Sequence, residues 1–355
     1  MRTLVAILLV LGCRSVGRAD TFAYVSLAKD KQIAVYQVDS TTGALTHVAD
    51  ASCEGEPGAL VANPARTLLF ASLRPEGKLV AFRIDSQTGK LEHVNTVEAG
   101  PDPAQLSTDR EGRFLLAAYY VAGKVTVHAI EKDGSLRARP LQSLPTDEKA
   151  HAIVLDPANR FAFVPHTGPN AIFQFAFNAA TGELTPGNPA KLATPANTGP
   201  RHMAFHPRLD IAYIDNEQGG SVTAYQLNKA TGSLQTLQTI STLPSDFEQA
   251  NACAEIKIHP TGKFLYVSNR GHDSIARFQV DEQSGELTAL GHTPTEKTPR
   301  SFDLDPAGRF LYVCGEATDK LAAYRLNQET GGLTLTATYS VGKTPWWVMV
   351  IDMPR

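Results

Sequence analysis

The chain is 355 residues long, with 43% hydrophobic and 19% charged residues, so it can bury a large core, and disorder is excluded. Lys and Arg number 33 against 36 Asp and Glu, a net charge of −3 that offers no basic excess of the kind nucleic acids demand. The four cysteines, Cys13, Cys53, Cys253 and Cys314, form no CxxC pair, so neither a disulfide scaffold nor a thiolate zinc site is expected; the last three read as small apolar residues on or beside strands.

The first element is a leader. Met1 and Arg2 precede an apolar run from Leu4 to Leu11, too short to span a bilayer, and small residues follow at Gly17 and Ala19. This pattern predicts a signal peptide over residues 1–19, with Asp20 opening a soluble, exported propeller of residues 20–355. Val10-Leu11-Gly12-Cys13 offers a second reading, a lipid anchor at Cys13, and an uncleaved N-terminus is the third. Loss of residues 1–19 removes three Arg and no acid, moving the net charge from −3 to −6. No later segment has the length of apolar sequence that a membrane span needs.

From residue 21 onward the chain repeats. Gly-x-Leu recurs at Gly43, Gly89, Gly134, Gly182, Gly232, Gly285 and Gly331, at intervals of 46, 45, 48, 50, 53 and 46 residues. A second marker, an apolar residue within a strand-like run, falls at Tyr24, Phe70, Leu116, Phe163, Tyr213, Tyr266 and Tyr312 and keeps step with it. Within one unit, Arg300 to Leu304 is a short run, Asp305-Pro306-Ala307-Gly308 a turn, and Phe310 to Val313 a second run. Lys320 to Leu326 alternates polar and apolar residues, Thr330-Gly331-Gly332 turns again, and Leu333 opens a fourth run. The fold class is therefore all-β: a seven-bladed β-propeller with four-stranded blades. The first unit lacks its first strand and the last run, Trp346 to Ile351, lacks a successor, so the two are expected to pair and close the ring.

The repeat also serves as an internal control, because positions used for chemistry should differ between units. Twelve residues before each marker, at the start of the innermost strand, stand Gly58, Ala104, His151, Arg201, Ala254 and Arg300, with Trp346 in the closing strand. Four residues after each marker stand Ala28, Arg74, Tyr120, Thr167, Glu217, Arg270 and Glu316. Antiparallel neighbours bring both sets to one mouth of the central channel. Four Arg converging on that mouth with Glu217, Glu316 and His151 repel one another unless an anion joins them, which predicts a small anionic or carbonyl-rich ligand there. His166, His202 and His272 are expected near the same mouth, but no HxH or HExxH spacing makes them a metal site. His206-Pro207 and His259-Pro260 fill the turn slot that Asp156-Pro157 and Asp305-Pro306 fill elsewhere, a structural role. Neither a P-loop, GxSxG nor a GxGxxG before a helix is present, and no cofactor is expected.

Six segments carry a family likeness: Gly199-Pro200-Arg201-His202-Met203-Ala204-Phe205-His206-Pro207, Ala254-Glu255-Ile256, Ser268-Asn269-Arg270-Gly271-His272-Asp273-Ser274-Ile275, Thr298-Pro299-Arg300, Arg74-Pro75-Glu76 and Pro345-Trp346-Trp347-Val348. With these, residues 21 to 352 resemble the lactonase family of seven-bladed β-propellers, typified by bacterial 6-phosphogluconolactonase and related to the carboxymuconate lactonising enzymes. The resemblance implies hydrolysis of a sugar lactone, foremost 6-phospho-D-glucono-1,5-lactone. It places the family's active-site set on His151, Glu217, Arg201 and Arg270; Arg300, Arg74, Asn269 and His202 are expected to contact the substrate. Two departures bear on the substrate: such enzymes work mostly in the cytoplasm, and His166-Thr167-Gly168-Pro169-Asn170 replaces an acidic loop. In the expected reaction Glu217 or His151 activates water while the other orients it or protonates the leaving alkoxide, and the Arg side chains hold the oxyanion or an anionic group. Two rivals stand beside this: an exported binding propeller without catalysis, and a muconate-type lyase or isomerase.

Overall fold

The computed structural model describes residues 20–354; the expected leader, with Ala19 and Cys13, lies outside the described residues. Residues 20–354 form twenty-eight strands in seven sheets of four, with no helix among them and none long and apolar enough to cross a membrane. Every sheet is antiparallel, and in six blades its strands follow one another in sequence. In the remaining blade Pro345–Asp352 takes the inner edge and pairs with Thr21–Leu27, from Thr21 opposite Asp352 to Leu27 opposite Pro345. The Thr21 hydroxyl donates to Asp352 Oδ1 at 2.6 Å, and Met353 N–H to Asp20 O at 2.8 Å. The ring therefore closes as the incomplete first repeat requires.

Sequence patterns follow position in the blade. The second strands, such as Leu68–Leu73 (LLFASL) and Phe310–Gly315 (FLYVCG), are buried along their whole length because neighbouring blades cover both faces. The outermost strands, such as Leu45–Ser52, have one wet face and are largely polar. Apolar clusters bridge adjacent blades: Tyr36, Val348 and Val350 of the closing blade pack with Phe310, Tyr312 and Cys314 of the blade before it. Cys253 and Cys314 are fully buried, as expected; Cys53 is only half-buried, because it sits where an outer strand ends.

The Asp-Pro turns are built from side chains. Asp156 Oδ1 accepts the N–H groups of Arg160 and Phe161, at 2.6 and 2.7 Å, and Asp305 does the same for Arg309 and Phe310. His206 and His259 occupy the same slot. His206 Nδ1 accepts from Arg208 and Leu209, and His259 Nε2 reaches Gly308 O of the next blade at 2.9 Å. Both histidines are structural, as their place in the repeat implies.

Candidate active site

Innermost strands begin irregularly, and this is what aims side chains at the mouth. Ladder register shifts between Pro57 and Leu60, Pro103 and Gln105, Pro200 and Met203, Cys253 and Ile256, and Pro299 and Ser301. Each shift falls at the repeat position of Gly58, Ala104, Arg201, Ala254 or Arg300. A bulge puts two residues opposite one, bends the strand and re-aims the side chain there. In the fourth blade the inner strand shrinks to Val154–Leu155, and His151 precedes it with its N–H on Pro165 O at 2.9 Å.

One concave pocket at this mouth is lined by His151, Arg201, His202, Arg74, Arg300 and Trp346. Glu217 lies between two guanidiniums, 2.9 Å from Arg270 Nη2 and 3.4 Å from Arg201 Nε. Arg270 is further held by the carbonyl of Cys253 at 3.1 Å. On the far wall Arg74 binds Asp102 at 2.6 Å and Arg300 binds Glu316 at 3.4 Å. Both stack on Trp346, at 5.8 and 5.0 Å from its ring, and the Trp346 indole N–H donates to Glu316 at 2.8 Å.

These surroundings set the charges. Burial, then Arg201 and His202, hold His151 well below the usual imidazole value, so it is neutral at pH 7; its Nδ1 is buried without a partner. Burial pushes Glu217 up, but Arg201, Arg270 and Arg300 together outweigh it and keep the carboxylate ionised. Burial and then Arg270 lower Arg201 to about 10; it stays charged although its side chain is only 2% exposed. His202 is lowered to about 4 by burial and Arg201, and Glu255, which burial raises, is brought to about 2 chiefly by His202 and Lys257. The pair is therefore a neutral imidazole against a carboxylate, Nδ1 donating to Oε1 at 3.0 Å.

The fold thus brings together His151, Arg201, Arg74 and Arg300 on one pocket, with Glu217 and Arg270 tied to it through Arg201. Among the described residues no hydrogen bond links Glu217 to His151: the first is clamped by arginines, while the His151 ring packs on Tyr120 and His202 at 5.5 and 5.0 Å. Asn269 departs from expectation. It is fully buried, and its amide is used up on Thr242 O, the Thr242 hydroxyl and Asn251, so it pins the 242–251 connection instead of lining the pocket. His166 likewise turns inward, onto Val164 O and Thr146, and His272 packs on Phe247 and His292. Among the described residues no three His, Cys, Asp or Glu side chains gather in a metal-binding group.

The family model for Lactonase, a 7-bladed beta-propeller, matches residues 20–350. The chain belongs to the lactonase family. A 6-phosphogluconolactonase of Pectobacterium carotovorum is 38% identical over 229 residues, 64% of this chain and 68% of the relative. The Yersinia enterocolitica 6-phosphogluconolactonase is 34% identical over 227 residues, 64% and 68% of the two chains. Among solved structures, the periplasmic gluconolactonase of Pseudomonas aeruginosa superposes with a TM-score of 0.87 at 25% identity, over 95% of this chain and 100% of that one.

Three carboxylates of this lactonase-family site stand outside the two repeat positions that gather the pocket residues. Asp102 is the partner of Arg74 from the neighbouring blade, a contact that no position within a repeat encodes. Glu255, within Ala254-Glu255-Ile256, meets His202 of the neighbouring blade and also lines the channel cavity of about 200 Å³ behind the pocket. Asp215 is fully buried two residues past its marker, where the other six blades carry a small residue.

Proposed function

We propose that this chain hydrolyses a sugar lactone, with 6-phospho-D-glucono-1,5-lactone the foremost substrate, at the mouth of its channel. The observation that carries this reading is a neutral, buried imidazole beside two guanidiniums clamped on one carboxylate, within a lactonase-family chain. His151 takes a proton from water as the water oxygen adds to the lactone carbonyl. Arg201 and Arg270 receive the oxyanion, for which fixed guanidiniums in a dry site are suited. The ring C–O bond then breaks, and the imidazolium returns its proton to the departing alkoxide. Glu217, held ionised by its arginines, fixes their geometry instead of acting as the base. Arg74 and Arg300 bind the polar or anionic end of the substrate, with His202 as the floor.

Residues 1–19 serve as a cleaved leader in this proposal, which exports residues 20–355 as the catalytic propeller; likeness to a periplasmic gluconolactonase supports that reading. Acylation at Cys13 is the alternative route, and mass spectrometry of the mature N-terminus separates the two. Export also makes the unphosphorylated lactone the second substrate to try. The test is hydrolysis of freshly made 6-phosphogluconolactone and of gluconolactone by purified residues 20–355, read above the spontaneous rate. Turnover of either, lost in His151→Asn, is expected; background rates with both lactones would end the proposal.

A further inference from the structure

Residue 215 has a control built into the chain. Two residues past the seven markers stand Ser26, Ser72, Ala118, Pro165, Asp215, Ser268 and Cys314, so six blades place a small residue there. In two of the three blades with Ser, the hydroxyl holds the adjoining inner strand, while Ser26 Oγ has no partner. Ser72 Oγ accepts the Ala59 N–H, and Ser268 Oγ the Glu255 N–H, each at 3.0 Å. Asp215 Oδ1 does the same for His202 N–H at 2.7 Å. The second oxygen is surplus to the fold, since Oδ2 is buried with no partner. Burying half a carboxyl unpaired costs stability, and such costs gather where a site needs them.

The charged and titratable groups that face it come from three directions. Arg201 and His202 lie on the inner strand of its own blade, Glu217 stands two residues on, and Cys253 and Glu255 belong to the next blade. Arg201 is the cation of this set and part of the pocket wall. We propose that Asp215 is a positioning residue that acts through Arg201: ionised, it compensates the guanidinium and loosens its hold on an anion, and protonated, it leaves that charge to the ligand. The proposal rests on the lactone-opening reading and deepens it, because that reaction turns a lactone into a carboxylate beside Arg201. Arg74 and Arg300 are already matched by Asp102 and Glu316, and Glu255 is answered by Lys257, so the inner group is Arg201, Arg270, Glu217 and Asp215. It carries one net positive charge with Asp215 protonated and none with it ionised. Burial lifts Asp215 to about 7, so both forms are populated near neutrality. By linkage, binding an anion draws a proton onto Asp215, and ionisation afterwards favours release of the product.

Calorimetric binding of D-gluconate to residues 20–355 tests this, because the gluconate carboxylate keeps its charge between pH 6 and pH 8. Affinity is expected to fall about ten-fold across that range, with proton uptake on binding seen as a dependence on buffer ionisation heat. D215S, which installs the residue of three sister blades, and D215N, which keeps the shape, are both expected to flatten the profile and abolish the uptake. Equal pH profiles in the parent and both variants, or no gluconate binding at either pH, would overturn the inference. Lactone turnover by the same preparations is a separate reading. Gluconate binding that loses its pH dependence in D215S without any turnover in the parent would strike the lactonase reaction and leave the Asp215–Arg201 coupling standing.

Discussion

His151 and Glu217 stand at one mouth, yet their neighbours give them different roles. The imidazole is neutral because burial and the guanidiniums of Arg201, Arg74 and Arg300 oppose its charging, whereas the carboxylate is held ionised by the arginines it joins. His151→Asn is therefore expected to lower kcat by about 10²–10⁴ with KM little changed. Glu217→Gln is expected to raise KM as well, because it frees Arg201 and Arg270 to repel each other; steady-state kinetics of the two variants separate the roles. Since the His151 value is depressed, kcat/KM of the D215N variant, which lacks the Asp215 titration, is expected to stay level from pH 8 to pH 6.5 and to fall only below that, as the imidazole gains its proton. A midpoint above 6.5 would remove His151 as the base.

Asp215 makes an opposite statement about stability. Its carboxyl rises from 3.8 to about 7 on folding, chiefly through burial. Between those values the unfolded chain gives up the proton while the folded one keeps it, so the cost grows as pH rises and is absent below about pH 4. D215S is thus expected to exceed the parent in stability by on the order of 2 kcal/mol at pH 7.5, with equal melting temperatures at pH 4. Among single residues, those that break the repeat within a blade were legible: His151, Arg201, Arg300. Asp102 and Glu255 were not, because each is defined by a partner on another blade.

At the scale of elements, the two periodic markers prove to be two halves of one contact. Tyr24 donates to Gly89 O at 2.9 Å, Tyr213 to Gly285 O at 2.8 Å, Tyr266 to Gly331 O at 3.2 Å and Tyr312 to Gly43 O at 2.9 Å, always onto the following blade. The markers keep step because each Gly turn seats on its neighbour's second strand. Gly285 shows why the turn stays glycine: φ is +76°, and an added Cβ would lie 2.7 Å from Ile211. Gly285→Ala is expected to cost roughly 2 kcal/mol. Tyr266→Phe loses one buried hydrogen bond, about 1 kcal/mol, and no more, since Phe70 and Phe163 hold the equivalent place. Urea titration of both variants checks the order; a Tyr266→Phe loss larger than that of Gly285→Ala would contradict it. Periodicity in the sequence reports these contacts without naming them. The bulges at the inner strands left no such trace, because backbone register is not written in residue type.

For the whole molecule, one pairing carries the ring. Val348 and Val350 are buried between the first and last blades, and their strand supplies Trp346 to the pocket. Deleting residues 345–355 is expected to lower the melting temperature of the entire propeller and to abolish turnover; calorimetry showing an unchanged transition would mean that the ring stands without its clasp. This feature was legible because a missing first strand and a surplus last one were visible in the repeat. It also fixes an order in time. Ribosomes deliver Thr21–Leu27 before Pro345–Asp352, so the first blade waits for its inner strand until the strands of the other six blades have been made. Nascent chains are thus open arcs with a raw edge at each end. The finished circle, with its mouth, exists only once Pro345–Asp352 has emerged and paired with Thr21–Leu27.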